Sequence, residues 1–380
     1  MFKKEKEIFL DYASITPISK ESFLAMKPWL DGSEFGNPSS VYDKGKHTKR
    51  ALAEFRKSVQ QTVNAKNEDS IVFTSGGTES NTLAIQGFLK KNPEATIVTS
   101  PIEHPSVRSI LQKHEETKKG RVIELDVDGQ GVIFLDQVKE ILSQNLVDLI
   151  TIMTVNNVMG AVQPISEIAQ VIKKNSPHTV FHTDASQAPL YLSVDVQRLG
   201  VDMMSLCGQK IYGPQGSGCL YIKERVEIEP LFIGGKQEFQ MRAGTEPMHQ
   251  IAGFTKALSM AQENKKMYGE KMYMLRDYFK ESLENGGVIF KHNGGKESLP
   301  LATNISFPKT QKDSEEIISF LNVHNIFVSS HSACMGSIQN DPHVIVALGA
   351  TPPNNSIRFS FGSQTTKKDI DTVVSVIKRA

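Results

Sequence analysis

Lys210 lies at the end of an apolar run, Met203-Met204-Ser205-Leu206-Cys207, in a turn of glycines and a proline that continues to Gly216. Such a run reads as a short buried strand opening into an irregular loop. An amine placed there is costly to bury unless chemistry uses it. The ordinary alternative is a lysine exposed on a turn. A second stretch, Thr74-Ser75-Gly76-Gly77-Thr78-Glu79-Ser80, follows Ile71-Val72-Phe73 and precedes Leu83-Ala84-Ile85. Strand, glycine turn, hydroxyls and helix start make an anion site, because free backbone N–H groups and the helix dipole face the ligand. Glycine lets the backbone come close. The Gly-Lys-Ser/Thr ending of a Walker loop is missing, and so is the dinucleotide fingerprint. A capped helix start after a turn is the plain alternative.

His104 (before Pro105), Asn157, Asp184 and Gln187 each follow an apolar run. Singly, His104 could be a helix-entry residue and Asp184 a helix cap. Together with Lys210 and the loop at 74–80 they supply an anion cradle, an acid–base group, a carboxylate and an amine. That set of parts suits pyridoxal phosphate. Its phosphate needs a helix N-terminus, its pyridine nitrogen a carboxylate, and its aldehyde a lysine for a Schiff base.

Two further residues have reactive types. Cys334 sits in a small, polar, glycine-containing loop over 328–342, where a cysteine is either a nucleophile or an incidental free thiol. Cys207 and Cys219 lie in apolar strands and read as core. Arg358 falls in a strictly alternating run, 356–361, a half-buried strand with Ser356, Arg358 and Ser360 on one side. It could pair with a surface acid, or clamp a small carboxylate with its planar fork.

The elements that position these residues alternate. Residues 40–65 carry Leu52, Phe55, Val59 and Val63 at helical spacing. Strands are expected at 71–73, 95–99, 146–155 and 179–182, with a fifth before Lys210, and helices such as 165–174 stand between most of them. That order implies a mostly parallel sheet with helices on both faces, where ligands sit at the carboxyl ends of strands. From about 250 the pattern becomes a long helix over 251–284, which Gly269 is expected to interrupt. A turn at 293–295, a strand at 304–307, a helix at 314–324 and the strand at 356–361 follow, and read as a smaller α+β domain.

Composition limits the rest. The length of 380 residues gives room for two or three domains. A net charge of +1 argues against a broad nucleic-acid or anionic-membrane surface. Three cysteines make no disulfide framework and show no zinc spacing. There is no apolar leader and no run of 18 apolar residues, so a reducing, cytoplasmic compartment is expected.

The markers in order are Leu10-Asp11-Tyr12-Ala13, Phe35-Gly36-Asn37-Pro38-Ser39-Ser40, the run Phe73 to Ser80, Glu103-His104, and Val155-Asn156-Asn157 with Gly160. His182-Thr183-Asp184-Ala185 with Gln187, Lys210-Ile211-Tyr212-Gly213-Pro214, Arg242-Ala243-Gly244-Thr245, Ser332-Ala333-Cys334 and Ser356-Ile357-Arg358-Phe359-Ser360 complete them. By these the chain resembles a cysteine desulfurase of the NifS/IscS type, among the class V, fold-type I pyridoxal-phosphate enzymes, over nearly its whole length. The resemblance implies an α/β fold with a mostly parallel seven-stranded sheet between helices and a smaller α+β domain. It implies an N-terminal segment (1–16) packing with the small domain, a large cofactor-binding domain (17–250) and a small domain (251–380) carrying the cysteine loop.

It also implies roles. Lys210 would bind the cofactor covalently, Asp184 would pair with the pyridine nitrogen, and Gln187 with the ring oxygen. Asn157 would touch the ring, and His104 would stack on it and help move protons. Gly77 and Thr78 would hold the phosphate, joined by Thr245 from the neighbouring subunit of a homodimer. Arg358, with Asn157, would bind the carboxylate of L-cysteine. Cys334 would take the sulfur as a persulfide, releasing alanine, and the length of its loop resembles the branch that passes sulfur to a protein partner. That delivery would serve iron–sulfur assembly or tRNA thiolation.

The chain departs from the family's pattern at several positions. Gln209 stands for histidine, Cys207 for serine, Val158 for glutamate, Tyr42 for histidine and His331 for glycine, and the run Lys236-Gln237-Glu238-Phe239-Gln240 is altered. Gln209 still donates to a phosphate but is uncharged, and a thiol at 207 is a poorer donor. Alternatives are a selenocysteine lyase, another class V lyase or transaminase, and a non-catalytic scaffold paralogue.

Overall fold

The computed structural model describes residues 6–330, 343–349 and 355–379. Its centre is a seven-stranded sheet. In spatial order the strands are Ile71–Thr74, Gly218–Ile222, Met203–Cys207, Val180–Asp184, Leu149–Thr151, Thr96–Thr99 and Arg121–Glu124. Only Gly218–Ile222 runs against the others. Both faces of the sheet are covered. Alternate residues such as Phe73, Ile150, Phe181 and Met204 join one apolar cluster, while Val72, Leu149, Val180 and Met203 join another. Burial on both faces is why these strands read as continuous apolar runs.

The expected strand at 146–155 is shorter, Leu149–Thr151. Beyond it the chain leaves the ladder and Val155 bridges Val162. The strand Arg121–Glu124 sits at the sheet edge with exposed ends, and its mixed composition carried no apolar signal.

Helix Met248–Asn285 is continuous through Gly269, contrary to the expected interruption. One glycine costs a helix about 1 kcal/mol, and apolar residues on both sides of Gly269 outweigh it. Ile251, Phe254 and Leu258 pack into the large core, and Leu275, Phe279 and Leu283 into a second core. This second core lies against the three-stranded sheet Ser356–Phe359, Thr303–Ser306 and Lys291–Asn293. Strand Ser356–Phe359 is buried on both faces, not half-buried. Ile357 and Phe359 enter the apolar core, while the polar side of the strand is covered by the N-terminal segment: Arg358 bonds Asp11 and Ser14, and the Ser360 hydroxyl just beyond donates to the Leu10 carbonyl. A two-residue strand, Ile8–Phe9, pairs in parallel with Ile326–Phe327. No helix among the described residues is long and apolar enough to cross a membrane.

Candidate active site

The carboxyl edge of the large sheet opens on a cavity of about 260 Å³. Lining it are Gly77, Thr78, His104, Asn157, Asp184, Gln187, Cys207, Gln209, Lys210 and Arg358, ten sequence-predicted residues brought together from widely separated segments. Thr245 is exposed and does not line this cavity. Cys334 lies outside the described residues.

Each wall has a local cause. Strand Met203–Cys207 ends at a one-turn helix, Gly208–Lys210, packed so closely that a Cβ on Gly208 would meet Ser217 Oγ at 2.2 Å. The Lys210 amine donates to the Ala13 carbonyl at 2.9 Å and to the Ser14 carbonyl. Residues 10–16 lie over this turn and reach the Arg358 strand as well: Thr16 N donates to the Gln209 carbonyl, and Ala13 N to Ser360 Oγ.

Helix Gly77–Lys91 begins at the cavity wall. Its cap is Gly76 at φ +138°, a conformation few side chains adopt. The cap residue has no side chain to close the first turn; the Gly77 N–H meets the Cys207 sulfur, and the N–H groups after it are available to an anion. A Cβ on Gly77 would stand 2.7 Å from Ser186 Oγ. That hydroxyl is buried and has no hydrogen-bond partner among the described residues. An anion at the helix start fits these observations.

Asp184 is nearly buried, and both its oxygens accept hydrogen bonds. Oδ1 takes one from Ser186 N at 2.9 Å and Oδ2 one from Asn81 Nδ2 at 2.6 Å. His104 caps helix Pro105–Glu116, its Nδ1 accepting from Ser106 N at 3.2 Å. The helix-entry reading and the site reading thus both hold for His104, which caps and lines the cavity at once. Burial holds the His104 pKa below that of an ordinary histidine; Asp184 opposes the shift, while Lys210 and His343 add to it. Burial likewise pushes the Cys207 thiol up, so Cys207 is core and cavity wall together. Beside His104, Glu103 is fully buried and pushed up to about 8, chiefly by desolvation.

Arg358 is 1% exposed. Its Nη1 donates to the Asn157 carbonyl at 2.9 Å, and its Nη2 to Asp11 Oδ1 at 2.7 Å and Ser14 Oγ at 2.6 Å. Among the described residues Nε has no hydrogen-bond partner, leaving it as a donor for a ligand. Gln187 donates to the Ala13 carbonyl at 3.0 Å.

Sequence reasoning missed Asn81, Ser106, Ser186, Asp11 and Ser14. Asn81 had a usable signal: it follows Gly77 by four residues, hence faces the same way on the helix. Asp11 stood in the marker Leu10-Asp11-Tyr12-Ala13 without a role, and Ser14, Ser106 and Ser186 had no signal. Val158, one of the departures, packs with Ile102, Met159, Val344 and Ile345, so an apolar contact stands where the pattern has a carboxylate. The altered run holds three successive left-handed residues, Glu238, Phe239 and Gln240. Glu238 is anchored by a buried bidentate ion pair with Arg56, whose Nη1 and Nη2 donate to the carboxylate at 2.8 and 2.6 Å.

The family described as Aminotransferase class-V matches residues 8–373. "Cysteine desulfurase IscS" of Dictyoglomus turgidum is 38% identical, over 99% of this chain and 94% of its own. A solved "NIFS-LIKE PROTEIN" superposes with a TM-score of 0.90 at 26% identity, covering 98% of this chain and 99% of that one. A structure titled "SspA in complex with cysteine" superposes with a TM-score of 0.78 at 32% identity, covering 94% and 99%. The chain belongs to the class-V aminotransferase family, among the cysteine desulfurases of the NifS/IscS type.

Proposed function

We propose that this chain is a pyridoxal-phosphate-dependent cysteine desulfurase. It would convert L-cysteine to L-alanine and collect the sulfur as a persulfide on Cys334. The observation that carries this reading is the meeting, in one cavity, of Lys210, Asp184, an uncapped helix start at Gly77 and Arg358. Relatives named for the same activity support it, as does the neighbour titled as a complex with cysteine.

When bound, the cofactor supplies an electron sink for charge developing on the substrate's α-carbon. The residues do the rest. Amides of Gly77 and Thr78 would hold the phosphate, with Gln209 and the Cys207 thiol beside them. Asp184 would hold a proton on the ring nitrogen, Gln187 would face the ring oxygen, and Asn157 and His104 would bracket the ring. Lys210 would give up the Ala13 and Ser14 carbonyls to bind the cofactor, and afterwards carry the α-proton. Arg358 and Asn157 would orient the substrate carboxylate. The Cys334 thiolate would attack the substrate sulfur, whose bond to carbon breaks as the S–S bond forms.

The same reading makes the protein a homodimer. Thr245 would serve the partner's cavity, which suits its exposure and its absence from its own. Phe23, Leu24, Leu30, Phe35 and Ile233 are exposed large apolar side chains of the kind a subunit contact would cover. It divides the chain into segments 1–16, 17–250 and 251–380, places it in a reducing cytoplasm, and gives the persulfide to an acceptor protein for iron–sulfur assembly or tRNA thiolation.

The test incubates cofactor-loaded protein with L-cysteine and a thiol reductant. Alanine and sulfide should appear in equal amounts, and Lys210→Ala and Cys334→Ala should abolish both. Cofactor binding without alanine would refute the desulfurase reading.

A further inference from the structure

Asn81 and Ser106 belong to the cavity wall, yet no role of theirs follows from the reaction as proposed. Asn81 is 1% exposed; its Oδ1 has no partner among the described residues, and its hydrogen bonds run through Nδ2. Its Nδ2 donates one hydrogen to Asp184 Oδ2 at 2.6 Å and the other to Ser106 Oγ at 2.9 Å. The amide cannot be turned round, because its oxygen would then face a carboxylate oxygen. Ser106 Oγ, having accepted from Asn81, has its own hydrogen free. His104 Nδ1 stands 2.8 Å away. The backbone N–H of Ser106, which can only donate, points at the same Nδ1 at 3.2 Å. Two donors on Nδ1 leave no room for a proton there. A neutral His104 therefore carries its hydrogen on Nε2, which has no partner among the described residues.

We propose that Asn81 and Ser106 are positioning residues that join Asp184 to His104 in one directed chain of hydrogen bonds and fix the His104 tautomer with its proton on Nε2. The chain runs from Asn81 Nδ2 to Ser106 Oγ and on to His104 Nδ1, while the second hydrogen of Nδ2 pins Asp184. The carboxylate assigned to the pyridine nitrogen and the imidazole assigned to the ring face are thereby held by one amide. Nε2 enters the cavity as a donor, not as a base. The inference rests on the assignment of Asp184 and His104 to the cofactor ring. Its first readout, however, does not depend on cofactor or turnover.

That readout is nitrogen NMR of the full-length protein labelled with ¹⁵N-histidine, with and without cofactor, the His104 signals being identified with His104→Gln. Wild type should show only the Nε2–H form near neutral pH. Ser106→Ala removes one bond to the neutral ring, so the His104 titration midpoint should rise by roughly 0.5–1 pH unit. Ser106→Thr, which keeps the hydroxyl, should restore it. A purely packing role for Ser106 would move neither. In the second measurement, Asn81→Ala should weaken cofactor binding about tenfold by absorbance titration, as expected for losing one bond to a charged group. An Nδ1–H signal in wild type, an unmoved midpoint in Ser106→Ala, or unchanged cofactor affinity in Asn81→Ala would each overturn the proposal. If the cofactor does not bind wild type at all, the functional reading falls while the tautomer result still decides this one.

Discussion

Replacing Arg358 offers the sharpest test of how the substrate is held. The guanidinium is buried, three bonds fix its plane, and among the described residues only Nε lacks a partner. A carboxylate seated on Nε gains one charge-assisted bond, worth up to about 3 kcal/mol. Losing it costs up to roughly 150-fold in kcat/KM. Arg358→Gln should show that loss with L-cysteine. Arg358→Lys keeps a charge but not the fork and should lose about tenfold. The control is cysteamine, which lacks the carboxylate. Wild type should discriminate against it by about the factor that Arg358→Gln loses with cysteine, and the variant should scarcely discriminate at all. Alanine-type product and sulfide are measured for each pair, with thermal melting and cofactor absorbance confirming an intact fold. If Arg358→Gln still prefers cysteine over cysteamine as strongly as wild type, the carboxylate sits elsewhere and the reasoning fails.

Other outcomes follow from the same structure. Gly77→Ala places a methyl 2.7 Å from Ser186 Oγ, so cofactor affinity should fall at least tenfold with little change in melting temperature; unchanged affinity would remove the phosphate from the Gly77–Lys91 helix start. Gln240 sits at φ +69°, and Gln240→Gly should raise stability by about 1 kcal/mol in chemical unfolding, whereas a loss would show that its side chain holds the turn. The pH dependence has a definite shape. His182 and His292, both held down to about 4 by burial, resist protonation in the fold, so each removes about 1.4 kcal/mol per unit as pH falls from 6.5 toward 4. Glu103, raised from 4.5 to about 8, acts oppositely, and its stabilisation is lost as pH rises through that interval. The three together place their maximum near pH 6.5, and Glu103→Gln should flatten the decline between 6.5 and 8; a wild-type optimum at pH 8 would contradict these assignments.

Much of the site was legible because of one rule of parallel sheets. The strands announce themselves as apolar runs, and the residues just beyond each parallel strand land on the same edge. Lys210, Asp184, His104 and the Gly76-Gly77 turn could therefore be grouped without knowing a single distance. The same reasoning overextended the strand at 146–155, since an apolar run does not say where ladder partners stop. It also misread Gly269, because a local propensity near 1 kcal/mol yields to packing along a whole helix.

By itself, then, the sequence determined the element order, the doubly covered sheet, the anion-binding turn and the reactive side chains. These depend on periodicity and on backbone preferences of a few neighbouring residues. Only the tertiary structure decided that Asp11 and Ser14 hold Arg358, partners 347 and 344 positions apart. Likewise it alone placed Asn81 between Asp184 and Ser106, and it buried the polar face of Ser356–Phe359. Such contacts join segments whose meeting depends on how whole layers pack, and a hydrogen bond between distant residues leaves no mark on the local pattern of either.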